Sequence, residues 1–208
     1  YRLPAVAKIG ETEYKSLADA VAAVPAENPT IVTIDLVSDV ALKAAEALKI
    51  NKNKVILNGN KHTITLDETD SSLEQYLEDG TSKKYGSFTM IKVTGTDVVF
   101  KDITLDSKDY RGVGLVVTDN GGTFENVDFE GKGSAHYYSA AKGLLKFKKC
   151  IINTCGYAVH SDGNACQIEI EDCDIHGWSS FGSSVTSATI KNSRFFASED
   201  KHNGTLAC

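Results

Sequence analysis

A six-residue pattern recurs five times along the second half of the chain. It stands at residues 100–105 (FKDITL), 124–129 (FENVDF), 147–152 (FKKCII), 170–175 (IEDCDI) and 190–195 (IKNSRF), with starts 24, 23, 23 and 20 residues apart. A period of that size in strand-forming sequence is the mark of a solenoid. Positions one, four and six of each unit are mainly apolar. On a straight strand, positions one and four face opposite sides, so a bend must intervene. Position three supplies it: Asp102, Asn126, Lys149, Asp172 and Asn192. Four of these five are Asp or Asn, although only 27 of the 208 residues are. Those two types tolerate the left-handed backbone of a one-residue corner. Asp102, Asn126, Asp172 and Asn192 are therefore expected to form a structural ladder.

Stacked at the ~4.8 Å spacing of neighbouring strands, the units predict three inward columns. One is Phe100, Phe124, Phe147, Ile170 and Ile190. The second is Ile103, Val127, Cys150, Cys173 and Ser193, and the third is Leu105, Phe129, Ile152, Ile175 and Phe195. Composition agrees: Val, Ile and Thr supply 47 residues, Met one and Pro three, which favours strands. The length, 208 residues, suits one domain. Residues 1–30 are expected to be an N-terminal cap and residues 31–208 the coils. The net charge of −6 argues against a nucleic-acid partner, which wants a basic face. No apolar run approaches the ~20 residues of a membrane-spanning helix. Five cysteines lie at 150, 155, 166, 173 and 208. They contain no C-x-x-C, and a zinc site is not expected.

The head differs from the repeats. Residues 6–9 alternate like a short strand. Ser16-x-x-Asp19 has the form of a capping box, and Leu17, Ala20, Val21 and Val24 follow at helical spacing up to Pro25. This helix is a natural cap for the first rung. Residues 30–37 read as strand. Residues 41–48 (ALKAAEAL) have strong helix propensity. A polar excursion spans about residues 67–87, with Asp67, Glu68, Asp70, Glu74, Glu78 and Asp79 ahead of Lys83 and Lys84. No cofactor is expected. Calcium could be held by such a loop, but the excursion lacks the rhythm of a dedicated calcium loop.

The chain resembles the right-handed parallel β-helices of the pectate-lyase-like superfamily, whose asparagine ladder the Asp/Asn corners match. Residues 6–21 (VAKIGETEYKSLADAV) resemble the head of β-helix modules in bacterial cell-surface proteins. Residues 35–40 (DLVSDV) and 55–65 (VILNGNKHTIT) continue that likeness. The fold class implied is all-β: a right-handed parallel β-helix with a short N-terminal capping helix. By the same resemblance, residues 41–50 should be extended despite their helix propensity. A secreted or cell-surface location is implied, with the export signal outside these residues. The implied role is a non-catalytic adhesion, spacer or glycan-binding module. Its partner would be a carbohydrate or a host or cell-surface ligand. The alternative is a polysaccharide lyase or glycoside hydrolase, because one fold hosts many activities.

The candidate chemistry is sparse. Lyases of the superfamily use calcium and an Arg base, and this chain has only Arg2, Arg111 and Arg194. No matching motif surrounds them, and the Gly-His-Gly and Arg-Ile-Lys elements of polygalacturonases are absent. Aligning the strand before each repeat puts Asp119 and Asp162 at one register two rungs apart, roughly 10 Å between backbones. That separation suits an inverting acid pair, with His160 nearby, but corner carboxylates are expected there anyway. His136, Tyr137 and Tyr138 read equally as an aromatic platform for sugar or as a loop packed on the coil. Trp178 reads as a loop residue that either binds ligand or covers the core.

Overall fold

The computed structural model describes residues 4–44, 47–70, 76–77, 84–138, 142–161, 165–183, 185–197 and 206–207. The chain opens with a hairpin of β1 (Ala7–Ile9) and β2 (Thr12–Tyr14), then α1 (Leu17–Ala23). It next winds through a β-solenoid of about 6 turns. In chain order the strands are β3 (Val32–Leu36), β4 (Val40–Leu42) and β5 (Leu48–Ile50); β6 (Val55–Asn58), β7 (Thr63–Leu66), β8 (Tyr76–Leu77) and β9 (Lys84–Val93); β10 (Val99–Asp106) and β11 (Tyr110–Thr118). They continue as β12 (Gly122–Gly131) and β13 (Ser134–Tyr138); β14 (Gly143–Lys148) and β15 (Ile151–Ser161); β16 (Cys166–Glu171) and β17 (Asp174–Phe181); then β18 (Val185–Lys191), β19 (Arg194–Phe196) and β20 (Leu206–Ala207).

Parallel pairing sorts these strands into three stacked faces. The first holds β3, β6, the leading halves of β10 and β12, then β14, β16 and β18. The second holds β4, β7, the trailing halves of β10 and β12, the starts of β15 and β17, and β19. The third holds β5, β9, β11, β13, the ends of β15 and β17, and β20. This is an all-β parallel β-helix.

The expected columns are present in register. Phe100 pairs Phe124, Phe124 pairs Phe147, Phe147 pairs Ile170, and Ile170 pairs Ile190. The three phenyl rings are fully buried and stack at centroid distances of 5.1 and 4.8 Å. Such offset stacks add to the burial of large apolar surface. Leu105, Phe129, Ile152 and Ile175 are equally buried in their column.

The corner between the first two faces is left-handed in all five repeat units: Asp102 (φ 49°), Asn126 (φ 54°), Lys149 (φ 53°), Asp172 (φ 55°) and Asn192 (φ 47°). Asn60 (φ 50°) plays the same part between β6 and β7. A second left-handed corner, ahead of the first face, uses mixed residues: Lys54, Asp97, Gly121, Gly143 and Ala165. At Gly121 (φ 79°) an added Cβ would lie 2.4 Å from the Leu144 carbonyl oxygen of the next turn, so only glycine fits.

Helix α1 is capped by Ser16, whose Oγ accepts the Asp19 N–H at 3.0 Å. It buries Leu17, Ala20 and Val21 against β5 and the hairpin, closing the first turn. Residues 41–48 are not the helix that their propensity suggests. Val40–Leu42 and Leu48–Ile50 are extended and paired with β7 and β9. Stacking on the next turn overrides local preference there. Residues 45–46 lie outside the described residues.

Candidate functional site

The residue directly after each six-residue unit points outward on the second face. These residues pair in series: Asp106 with Glu130, Glu130 with Asn153, Asn153 with His176, and His176 with Phe196. The chain then turns towards the third face. Lys108 (φ 54°) and Gly131 (φ 97°) make this corner tight. A Cβ on Gly131 would stand 2.5 Å from Ser107 Oγ, and that hydroxyl accepts the Gly133 N–H at 2.8 Å.

Between ladder and corner lies a cleft of about 390 Å³, within the size range of small-ligand sites. Its lining includes Glu68, Asp106, Lys108, Asp109, Lys132, Asn153, Thr154, Cys155 and His176. Asp106 is locked: its Oδ1 accepts the Lys108 N–H at 2.7 Å and its Oδ2 lies 2.8 Å from Lys108 Nζ. The Asp106 carboxylate in turn raises the Lys108 ammonium above the usual lysine range. Asn153 and Lys132 are exposed. Thr154 is buried, and its Oγ1 has no hydrogen-bond partner. His176 stacks on Phe196 at 4.4 Å with 16° between the planes.

Just past this cleft, on the third face, Tyr157, His160 and Trp178 gather. Tyr157 lies 4.5 Å from His160 and 4.6 Å from Trp178 between ring centroids. Trp178 is on strand β17, not in the loop expected from sequence, and is half-buried. The strand continues because Gly177 (φ 121°) reroutes the backbone around the corner and resumes the outward alternation.

His136 does not offer its ring to a ligand. It is fully buried in an inward column of the third face, between Val116 and Val159. Its Nδ1 is 3.3 Å from the His160 carbonyl and its Nε2 is 3.2 Å from Thr118 Oγ1. A carbonyl only accepts, so Nδ1 carries the proton and Nε2 accepts from the threonine. Burial lowers its pKa to about 4. The backbones of Tyr137 and Tyr138 pair with His160 and Ser161. Their side chains lie outside the described residues.

Asp119 follows β11 at the far end of the third face. Roughly ten strand residues, or about 30 Å, separate it from the cleft. Its Oδ2 is 3.7 Å from Lys92 Nζ, and its buried Oδ1 has no partner. Asp162, its expected companion, lies outside the described residues. His160 is buried beneath Tyr157 and Trp178 rather than presented beside Asp119. In the polar excursion, Asp67 accepts from the Thr69 backbone and hydroxyl, and Asp70 accepts from the Ala44 N–H. Residues 71–75 and 78–83, with Glu74, Glu78, Asp79 and Lys83, lie outside the described residues. Among the described residues no three His, Cys, Asp or Glu side chains are grouped as metal ligands. Arg194 forms a bidentate pair with Asp174.

Sequence reasoning missed Asn153, Lys132, His176 and Tyr157. A signal existed for two of them: Asn153 and His176 each stand one place past a repeat unit.

The family model for the pectate lyase-like adhesive domain matches residues 14–137. The chain belongs to that family. The matched segment runs from β2 to β13, so it carries the Asp106–Lys108 side of the cleft. Asn153, His176, Tyr157 and Trp178 come from later turns of this adhesive-domain protein. No curated protein and no solved structure matches the chain significantly. Among the described residues, no helix of the domain is long and apolar enough to cross a membrane.

Proposed function

We propose that this adhesive-domain protein is a non-catalytic extracellular module that binds carbohydrate in the cleft between its second and third faces. One observation carries this reading. The exposed Asn153 amide and Lys132 ammonium, and the unpartnered Thr154 hydroxyl, line one cleft beside the His176–Phe196 stack. Sugar hydroxyls both donate and accept, and they match a lining that offers both. The aromatic rings supply apolar surface next to those polar groups. The family assignment supports an adhesive role. Asp106, the carboxylate held deepest, is engaged by Lys108, an arrangement that suits a fixed scaffold better than a base awaiting a proton.

A glycan array with the parent protein and Asn153→Ala tests this reading, with a lyase absorbance assay on uronic-acid polymers run in parallel. Binding to a defined glycan class, weakened at least tenfold in the variant, with no absorbance rise, is expected. Turnover of the polymers, or no glycan bound, would contradict it.

A further inference from the structure

The corner cleft is not electrically neutral. Its lining brings three carboxylates, Glu68, Asp106 and Asp109, together with two ammoniums, Lys108 and Lys132. A fourth carboxylate, Glu130, stands in register between Asp106 and Asn153, one strand spacing of ~4.8 Å from each. Asp109 and Glu130 are exposed, and among the described residues neither side chain is engaged in a hydrogen bond or an ion pair.

Lys108 shows how this field treats a cation. Its ammonium lies 2.8 Å from Asp106 Oδ2, and Glu68 and Glu130 add to the pull that keeps it charged. Beyond that pair, the described lining sets Lys132 against Asp109, with Glu130 beside them and Glu68 adding negative potential. The whole chain has the same sign, at −6.

A buried group in the cleft asks independently for a polar ligand. Thr154 is 3% exposed, and its Oγ1 has no hydrogen-bond partner. An unmade buried hydrogen bond is costly, and a ligand hydroxyl that reaches Oγ1 removes the cost. The charged and neutral groups also lie on different turns. Glu68 and Asp109 belong to earlier turns, and Asn153, Thr154 and His176 to later ones. A ligand lying along the solenoid axis therefore meets acceptor-only groups at one end and groups that donate and accept at the other.

We propose that the carbohydrate taken by this cleft bears free amines: an amino sugar whose protonated nitrogen faces Asp109 and Glu130 while its hydroxyls reach Asn153 and Thr154. This rests on the reading of the cleft as a carbohydrate site and narrows it. An ammonium offers three donors to carboxylates that only accept, and such charge-assisted bonds are the strong ones. N-acetylation removes that charge. A uronic acid brings a further carboxylate into a field of its own sign, and like charges in juxtaposition reject a ligand.

Three oligosaccharides of equal length test this by calorimetric titration into the intact protein: a glucosamine oligomer with free amines, its N-acetylated counterpart and a galacturonic acid oligomer. At about pH 5.5 the sugar amines carry their proton and Asp and Glu side chains stay ionised. The free-amine oligomer is expected to bind about tenfold or more tighter than the acetylated one, with the acidic oligomer weakest. Added salt should narrow the gap. The double variant Asp109→Asn, Glu130→Gln, checked for a parent-like circular dichroism spectrum, should cut the amine-to-acetyl ratio about fivefold or more. Asn153→Ala should weaken both oligomers alike. A charge-matched variant on the N-terminal hairpin, Glu11→Gln with Glu13→Gln, should keep the parent ratio. An acetylated or acidic oligomer bound as tightly as the free-amine one, or a ratio lowered equally by the hairpin variant, overturns this inference and leaves the carbohydrate reading standing. Binding of none of the three also overturns it, and the glycan array then decides the carbohydrate reading by itself.

Discussion

Asn126 donates from Nδ2 to Asp102 Oδ1 at 2.6 Å, and both residues hold left-handed backbone at the same corner of successive turns. The bond runs along the solenoid axis and ties one turn to the next. It lies at the surface, so its net worth is that of an exposed hydrogen bond, about 1 kcal/mol. Left-handed strain on a residue other than Asn, Asp or Gly adds about 1 kcal/mol more. Asn126→Ala should therefore destabilise by about 2 kcal/mol in a denaturant melt. Lys149 occupies the same corner one turn on, at φ 53°. Lys149→Asn should be neutral or stabilising by up to about 1 kcal/mol. A destabilised Lys149→Asn beside a parent-like Asn126→Ala would mean that the corner register is wrong.

Phe124 sits between Phe100 and Phe147 with no exposed surface. Phe124→Ala leaves a cavity open to neither solvent nor a smaller neighbour, and should cost about 3–5 kcal/mol. Ile190→Ala removes a half-exposed member of the same column and should cost about 1 kcal/mol or less. Equal losses at the two positions would contradict the closed-middle, open-end description of that column.

His136 makes stability depend on acid. Its pKa is about 4 when folded, against the ordinary 6.5. The unfolded chain then binds the extra proton first. His136 thus leaves stability intact above about pH 6.5 and erodes it as pH falls towards 4, by on the order of 3 kcal/mol across that window. Below 4 both states are protonated and the loss levels off. His136→Gln should show a shallower fall of melting temperature between those pH values, measured against the parent. An unchanged slope would place the acid sensitivity elsewhere.

The thiols divide by burial. Cys150, Cys166 and Cys173 are buried, and Cys155 is half-buried at the cleft. Contact with the Cys173 sulfur and burial push the Cys150 thiol far above the usual range. Among the four described cysteines, a thiol reagent should therefore modify Cys155 well before the other three. A mass loss of two hydrogens from a bridge between Cys150 and Cys173 would contradict the free pair.

The columns and the first corner were legible because one residue type marks each role. Phenylalanine or isoleucine fills a repeating inward slot, and Asp or Asn fills the bend. The second corner was hidden because Lys54, Asp97, Gly121, Gly143 and Ala165 share a backbone conformation without sharing chemistry. The third face was misread where its register slips. Irregular pairing between Asn153 and Tyr157, and between Tyr157 and His160, breaks strict alternation. Trp178 consequently looked like a loop residue. The cleft needs residues from five turns to converge, from Glu68 to His176. No local pattern announces that convergence, although Asn153 and His176 followed the repeat by one place.

The central claim is that ligand binding resides at the corner cleft. Its most direct test is a titration of an array-selected oligosaccharide into isotope-labelled protein, followed residue by residue by amide chemical shift. The account predicts saturable shifts centred on residues 106–109, 131–132, 153–155 and 176, lost in Asn153→Ala. Shifts centred on Asp119 or on the β18 edge, with the cleft silent, would contradict it.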